Sequence, residues 1–178
     1  PVQAHRLVSL LVEVQLPVVC IVRGWAVGLG CQLALASDIT LAEEDSRFWE
    51  PFVERGFTPD SGATWLLPRL VGVARAREML LLGRRLSGTE AAEWGLIQRA
   101  VPADELETAA GEVIEKLVNG PTVAIGLTKR LLHRSSDRGL GEALEAEANA
   151  LELSSRSPDF REGLSAFRDR RPPEFEGR

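Results

Sequence analysis

A glycine-bounded turn, Gly28-Leu29-Gly30, follows a short apolar run and opens an alanine-rich segment that ends near Ser37. Glycines at positions 28 and 30 let the backbone take tight angles and approach a ligand closely. A helix that begins here presents free N–H groups and the positive end of its dipole, which suits an anion or a developing oxyanion. Taken alone, such a segment is more often a plain strand-to-helix connection. A dinucleotide site does not fit, because Leu33 stands where G-x-G-x-x-G requires glycine or alanine.

A second candidate group is the carboxyl of Asp60, in a loop of small and turn-forming residues from Gly56 to Gly62. Aromatic residues flank this loop in the sequence: Phe52, Phe57 and Trp65. A carboxyl group in apolar surroundings has a raised pKa and can act as a general acid or base. A Pro-Asp sequence in such a loop more commonly forms a surface turn that caps the next helix. Ser61 is not a nucleophile elbow, since G-x-S-x-G is absent.

The third candidate lies near the C-terminus, where Phe167 is followed by Arg168, Arg170 and Arg171. An aromatic face beside guanidinium groups suits an adenine ring and a nucleotide phosphate. Alone, the same pattern is better explained as an amphipathic helix whose basic last turn complements its dipole.

The chain has few of the residues that bind metals through nitrogen or sulfur or that form disulfides. The two histidines, His5 and His133, are far apart, and the two cysteines, Cys20 and Cys31, lie in apolar segments without a CxxC spacing. A structural zinc site and a disulfide framework are therefore not expected. Two unpaired cysteines fit a reducing cytoplasm, which we expect as the location.

Composition excludes several classes of protein. The 178 residues are 44% hydrophobic and 26% charged, the balance of one ordinary globular domain. A net charge of −5 is opposite in sign to the positive charge expected of a nucleic-acid-binding domain. No apolar run reaches the roughly 20 residues of a membrane span. The first residue is Pro1 and the only methionine is Met79, so we expect the C-terminal portion of a longer protein.

The elements of the N-terminal half alternate between helix and strand. Apolar spacing predicts a helix over 4–14, and the apolar run 18–22 predicts a strand buried on both faces. A small helix over 31–37 and a strand over 39–42 follow, then an irregular stretch over 48–61. The last elements predicted here are a helix over 65–82 interrupted near Gly72, a helix that begins at the capping box Ser87-Gly88-Thr89-Glu90 and ends at Gly95, and a strand over 96–101.

After Pro102 the pattern is almost entirely helical. Helices are predicted over 105–118, 123–133 and 140–153. A last helix has Ser157 as its N-cap and Pro158 at its first position, and Pro172-Pro173 ends it. The sequence therefore predicts an α/β core over 1–103 and a helical region over 104–178.

Together these segments resemble the signature of the crotonase superfamily, the enoyl-CoA hydratase/isomerase family. The resemblance rests on four stretches in the family's order and spacing: Pro17 to Ile39, Leu67 to Gly72, Leu86 to Val101 and Asp159 to Arg171. It implies a crotonase-like spiral of ββα units whose N-terminal part lies upstream of Pro1, followed by a helical trimerisation region. It further implies a homotrimer or a dimer of trimers that acts on an acyl-CoA thioester. Coenzyme A is then part of the substrate, and no separate cofactor, metal, nucleic acid or membrane is expected.

The resemblance also implies roles for individual residues. In the family, two backbone N–H groups hold the thioester carbonyl and stabilise an enolate, and Leu29 matches the position of one of them. The other donor is expected upstream. Gly28, Gly30 and Gln32 would line this part of the site. Phe167 and Arg170 match positions that touch the CoA of a neighbouring subunit in relatives.

Two departures from the family pattern bear on the reaction. Hydratases of the family resemble one another in two glutamates, and the matching positions here are Gln32 and Phe52. Neither side chain exchanges protons near neutral pH. Asp60 falls where other members place a catalytic aspartate, and the stretch from Gly56 to Gly72 is similar to the ring-epoxide phenylacetyl-CoA isomerases of the superfamily. Phe52 and Trp65 are expected to line the acyl pocket and exclude water.

The resemblance thus favours a double-bond or ring-epoxide isomerase with Asp60 as general acid and base. One alternative is an enoyl-CoA hydratase, a lyase of fatty acid metabolism, using Asp60 or Glu54 in an unusual role. Another is an acyl-CoA-binding protein without catalysis. A fourth is a dehalogenase with the aspartate as nucleophile, whose other catalytic groups would have to lie upstream.

Overall fold

The computed structural model describes residues 2–135 and 138–177. The chain divides into two compact units. The first extends to Val12 and continues over Val18–Gly111, and the second consists of Glu13–Pro17 and the chain from Glu112 onward. The predicted division into a core and a helical region after residue 103 stays a prediction. The two compact units of the structure meet in the chain after Gly111.

The first unit combines short strands with helices, in the alternation that the sequence predicts. Its elements are α1 (Val2–Glu13), β1 (Val19–Val22), β2 (Trp25–Val27), α2 (Leu29–Ala36), β3 (Ile39–Glu43), β4 (Arg47–Trp49), α3 (Ala63–Leu82), β5 (Leu86–Ser87), α4 (Gly88–Glu93), β6 (Arg99–Val101) and the start of α5 (Leu106–Val118). A short 3₁₀ turn lies at Val53–Arg55.

Two three-stranded sheets organise this unit. In one, β3 lies between β1 and β6 and is parallel to both, with Ile21 opposite Leu41 and Ala42 opposite Ala100. In the other, β4 lies between a parallel β2 and an antiparallel β5. The parallel pairs require crossover connections, and α2 lies in both the crossover from β1 to β3 and the crossover from β2 to β4.

The sequence missed β2 and β4, which have three residues each. Such strands are too short for a period-2 pattern, and each exists because it pairs with the other, Ala26 lying opposite Phe48. The prediction that 18–22 is buried on both faces is also wrong. Three of the four residues of β1 are only partly buried, and within the described residues β1 lies at the edge of its sheet, beside β3.

The core of the first unit lies between the sheets and helices α2 and α3. Its largest fully buried apolar side chains are Leu41, Phe48, Leu67, Met79, Leu86 and Leu106. The sequence correctly placed an interruption in α3 at Gly72, whose φ of 76° and ψ of 161° are not helical. The capping box of α4 is also confirmed: the Ser87 hydroxyl accepts the Glu90 N–H at 3.0 Å, and the Glu90 carboxylate accepts the Ser87 N–H at 2.9 Å.

The second unit is built from the rest of α5, α6 (Thr122–Ser135), α7 (Leu140–Ser154) and α8 (Pro158–Asp169). Ser157 caps α8 as predicted, by accepting the Phe160 N–H at 3.2 Å. The helix ends before Pro172, because Arg170 adopts a left-handed φ of 55°. The chain beyond it folds back on α8, where the buried Asp159 carboxylate accepts the N–H groups of Glu176 and Gly177 at 2.8 and 3.0 Å.

Within the described residues, no helix combines the length and the apolar character needed to cross a membrane.

Candidate active site

The turn that begins α2 has the geometry that the glycine pattern predicts at one of its two glycines. Gly28 has a φ of 52° and a ψ of −119°, a conformation that is strained for any residue with a side chain. Its N–H donates to the Trp49 carbonyl at 3.0 Å, and its own carbonyl accepts the Gln32 N–H at 3.0 Å. These bonds fix the first turn of α2 against the end of β4. Gly30 has an ordinary φ and open space where a Cβ would stand, so the expectation of a tight angle there is wrong.

The N–H of Leu29 points out of the first turn of α2. No acceptor among residues 2–135 and 138–177 takes this N–H, and no side chain caps the helix at Gly28. The first-turn N–H groups of a helix have no partner within the helix, and the helix dipole places partial positive charge on them. A carbonyl oxygen that gains negative charge is stabilised by such a donor.

A buried side-chain pair lies directly behind this turn. The Gln32 amide on α2 donates from Nε2 to Oε2 of Glu50, which follows β4, at 3.0 Å. Both side chains have no exposed surface. Sequence reasoning missed Glu50, which stands in the stretch predicted to be irregular. Only the pairing of β4 with β2 brings its carboxyl group into the core.

The surroundings of Glu50 favour its neutral form. Burial raises the pKa of its carboxyl group to about 8, against the opposing effect of hydrogen bonds from Cys31 and Gln32, and the negative charge of Asp60 adds to the increase. Burial and the neighbouring Glu50 together raise the pKa of the Cys31 thiol well above its usual value. Cys31 is therefore an inert thiol, and Glu50 carries a proton at neutral pH.

Asp60 lies on a strained turn that leads into α3. Ser61, which is buried, has a φ of 50°, and Gly62 has a φ of 88°. Left-handed non-glycine residues are uncommon and gather at functional sites. The expected enclosure of Asp60 by apolar side chains is not found, since its side chain is exposed in the described chain. Its charge nevertheless acts on Glu50, so the aspartate is not a lone acid.

The aromatic residues near the loop differ in position. Phe52 is buried, and its Cζ would lie 3.9 Å from a Cβ added at Gly28, so this ring covers the turn. Phe57 meets the Phe52 ring edge to face, with 5.5 Å between ring centroids, and is half exposed. Trp65 lies in the first turn of α3, half-buried, and the Arg69 guanidinium stacks on its ring at 4.1 Å.

The two predicted CoA contacts lie in the second unit. Phe167 is 86% exposed on α8, and Arg170 is the exposed left-handed residue that ends this helix. The first unit alone thus contains Gly28, Leu29, Gly30, Gln32, Phe52, Asp60 and Trp65. Among the described residues, no group of three or more His, Cys, Asp or Glu side chains is arranged to hold a metal ion.

Comparison with known proteins agrees with this architecture. The model of the family "Enoyl-CoA hydratase/isomerase" matches residues 2–178. Over 174 residues the chain is 40% identical to 1,2-epoxyphenylacetyl-CoA isomerase of Escherichia coli (98% of this chain, 66% of that protein). Over 155 residues it is 33% identical to short-chain-enoyl-CoA hydratase of Clostridium acetobutylicum (87% and 59%). The chain therefore spans less than two thirds of the length of these relatives.

A solved structure extends the likeness to three dimensions. The enoyl-CoA hydratase of Bacillus anthracis superposes with a TM-score of 0.95 at 33% identity, covering 99% of this chain and 69% of that one. The sequence-based identification of the family and of the crotonase fold is confirmed. On the family match over nearly its whole length and on this superposition, the chain belongs to the enoyl-CoA hydratase/isomerase family, within the crotonase superfamily.

Proposed function

We propose that the protein acts on an acyl-CoA thioester and isomerises a double bond or a ring epoxide through an enolate. The Leu29 N–H polarises the thioester carbonyl. Asp60 removes a proton next to the enolate system and returns it to another carbon. The observation that carries this proposal is the Leu29 N–H at the start of α2, which no acceptor in the described part of the chain takes. The same unit contains the exposed Asp60 carboxylate, whose charge acts on the buried Glu50.

The residue types around α2 favour isomerisation over hydration. A hydratase of the family needs two glutamates, and the matching side chains here are an amide, Gln32, and a phenyl ring, Phe52. One carboxylate that both takes and returns the proton needs no second acid. The Phe52 ring is buried and lies near Gly28, where it would keep water away from the bound thioester.

The oxyanion donor supplies a large share of the expected rate. Removing one backbone donor of this kind raises a reaction barrier by roughly 3–4 kcal/mol, a factor of 10² to 10³ in rate. The side chain at position 29 is immaterial to an N–H donor, so leucine is acceptable there.

Hydration is the second candidate, and one observation favours it. Glu50 places a carboxyl group 3.0 Å from the Gln32 amide, next to the position of the first hydratase glutamate. Glu54 is a weaker substitute, because it is exposed and lies 3.9 Å from the Arg85 guanidinium. A protein that binds acyl-CoA without turnover is the outcome in which neither reaction is detected.

The second unit supports the proposal that the protein is a homotrimer or a dimer of trimers that contacts CoA through Phe167 and Arg170. Its helices expose large apolar side chains, with more than half of each surface accessible: Leu132, Leu140, Leu144, Leu151, Leu153, Leu164 and Phe167. Covering such surfaces is favourable by about 25 cal/mol per Å². Light scattering on the full-length protein tests the assembly: a monomeric mass contradicts it.

A reducing cytoplasm remains the proposed location.

Incubation with two substrates separates the candidates. The full-length protein is given a β,γ-enoyl-CoA and, separately, an α,β-enoyl-CoA. Migration of the double bond supports the isomerase, and a 3-hydroxyacyl product supports the hydratase. Asp60→Asn should abolish migration and keep acyl-CoA binding, whereas Asp45→Asn, at an exposed acid near β4, should leave turnover unchanged. Retained turnover in Asp60→Asn removes Asp60 from the mechanism.

A further inference from the structure

Two buried oxygen atoms behind the α2 turn have no hydrogen-bond partner. They are Oε1 of Gln32 and Oε1 of Glu50, for which no hydrogen-bond partner is found among the described residues; the neighbouring Trp49 Nε1 is likewise buried without a partner. The other two polar atoms of the same side chains, Gln32 Nε2 and Glu50 Oε2, are bonded to each other. Native proteins rarely leave buried polar atoms unsatisfied, because each such atom loses its hydration without compensation.

A proton on Glu50 removes both defects in one step. A carboxylate only accepts hydrogen bonds, whereas a carboxylic acid has one O–H donor. If the proton is on Oε1, that group becomes a donor, and the amide oxygen of Gln32 is an acceptor that has no other partner among the described residues. An acid and a primary amide joined by one N–H···O bond then close a ring through a second, O–H···O bond.

We propose that Glu50 is a positioning residue of the active site: its neutral carboxyl group and the Gln32 amide form a ring of two hydrogen bonds that holds the first turn of α2 against the end of β4. Gly28 N–H to Trp49 carbonyl is a second link between the same two segments, at 3.0 Å. The amide of Leu29 lies between these two links in the chain. Glu50 therefore acts through Gln32 and α2 on the position of the Leu29 N–H.

The groups around Glu50 agree with a neutral acid. Cys31 and Gln32 face it from α2, and Asp60 acts on it from the loop before α3. None of the three is a cation that would favour the charged carboxylate. Desolvation and the Asp60 charge together keep the pKa of Glu50 at about 8, which leaves the acid form in the majority at pH 7.

The direct test is the protonation state of Glu50 in the full-length protein. Infrared difference spectra or carbon NMR of glutamate-labelled protein report a protonated carboxyl group, which Glu50→Gln removes and Glu44→Gln, at an exposed position, keeps. We expect the wild-type signal at pH 7 and its loss as the pH rises through about 8. A Glu50 carboxylate that is ionised at pH 7 overturns the proposal. This readout does not involve the reaction, so it fails or succeeds independently of the proposed function.

Turnover gives the second readout, and this part rests on the proposed isomerase activity. In Glu50→Gln the new amide can still donate to Gln32 Oε1 and accept from Gln32 Nε2, so the ring persists without an ionisable proton. We expect kcat within a few-fold of wild type and loss of the alkaline decline in its pH profile, while Glu50→Ala loses at least tenfold in kcat. A Glu50→Gln variant that folds and binds acyl-CoA but has no turnover contradicts a positioning role and assigns the Glu50 proton to the chemistry.

Discussion

Replacing Glu50 by glutamine should change how the stability of the protein depends on pH. In the folded protein the carboxyl group has a pKa of about 8, against 4.5 in the unfolded chain. The folded state therefore binds the proton more tightly, and the stability that this contributes is complete below pH 4.5 and is lost as the pH rises through 8. Each pKa unit corresponds to 1.36 kcal/mol, so a shift of about 3.5 units amounts to about 5 kcal/mol, of which about 2 kcal/mol is already lost at pH 6.

Urea unfolding of wild type and Glu50→Gln at pH 5, 7 and 9 measures this effect as a difference between two proteins. Other groups with shifted pKa values do not obscure the effect between pH 5 and pH 9. The lowered pKa values of Glu90 and Glu162 act below pH 4.5, and the raised pKa values of Cys20 and Cys31 act above pH 9. We expect the free energy of unfolding of wild type to fall relative to the variant by several kcal/mol between pH 5 and pH 9. Parallel pH profiles in the two proteins would refute a buried, proton-binding Glu50, and Glu44→Gln should follow wild type.

Three further sets of substitutions test other parts of the structure. Gly28→Ala places a side chain on a φ of 52° and should cost about 1–3 kcal/mol of stability in thermal unfolding as well as most turnover, whereas Gly30→Ala, in open space, should leave stability unchanged. Phe167→Ala and Arg170→Ala should each raise KM for an acyl-CoA with little change in kcat, and an unchanged KM in steady-state kinetics removes these residues from CoA binding. Ser87→Ala removes the N-cap of α4 and should lower stability by about 1 kcal/mol in denaturant titration, and a neutral result shows that the capping box contributes nothing.

The features that the sequence predicted well depend on local chemistry. The capping box at Ser87 is one example, because the hydroxyl and the Glu90 carboxylate satisfy backbone groups within the same turn. Gly72 is another, since its φ of 76° is accessible to glycine and interrupts the helix at that residue. The conformation of Gly28 follows from the same freedom, and the wrong expectation for Gly30 comes from treating both glycines of the motif alike.

The features that the sequence missed depend on contacts between distant segments. Nothing in the sequence distinguishes Glu50 from the exposed acidic residues. Its burial follows from the pairing of β4 with β2, about twenty residues earlier in the chain. The sequence indicated one acid, Asp60, whereas the structure has two carboxyl groups in different environments. Asp60 is exposed, and Glu50 is buried beside Gln32. Environments that differ in this way are what separate acid and base roles in enzymes.

The role of the α2 turn can be measured most directly in a crystal structure of the full-length protein with an unreactive acyl-CoA analogue. We expect the thioester oxygen about 2.7–3.1 Å from the Leu29 nitrogen, with the Asp60 carboxylate facing the acidic carbon of the acyl chain. A thioester bound away from the first turn of α2, or an Asp60 side chain directed away from the acyl group, would contradict it.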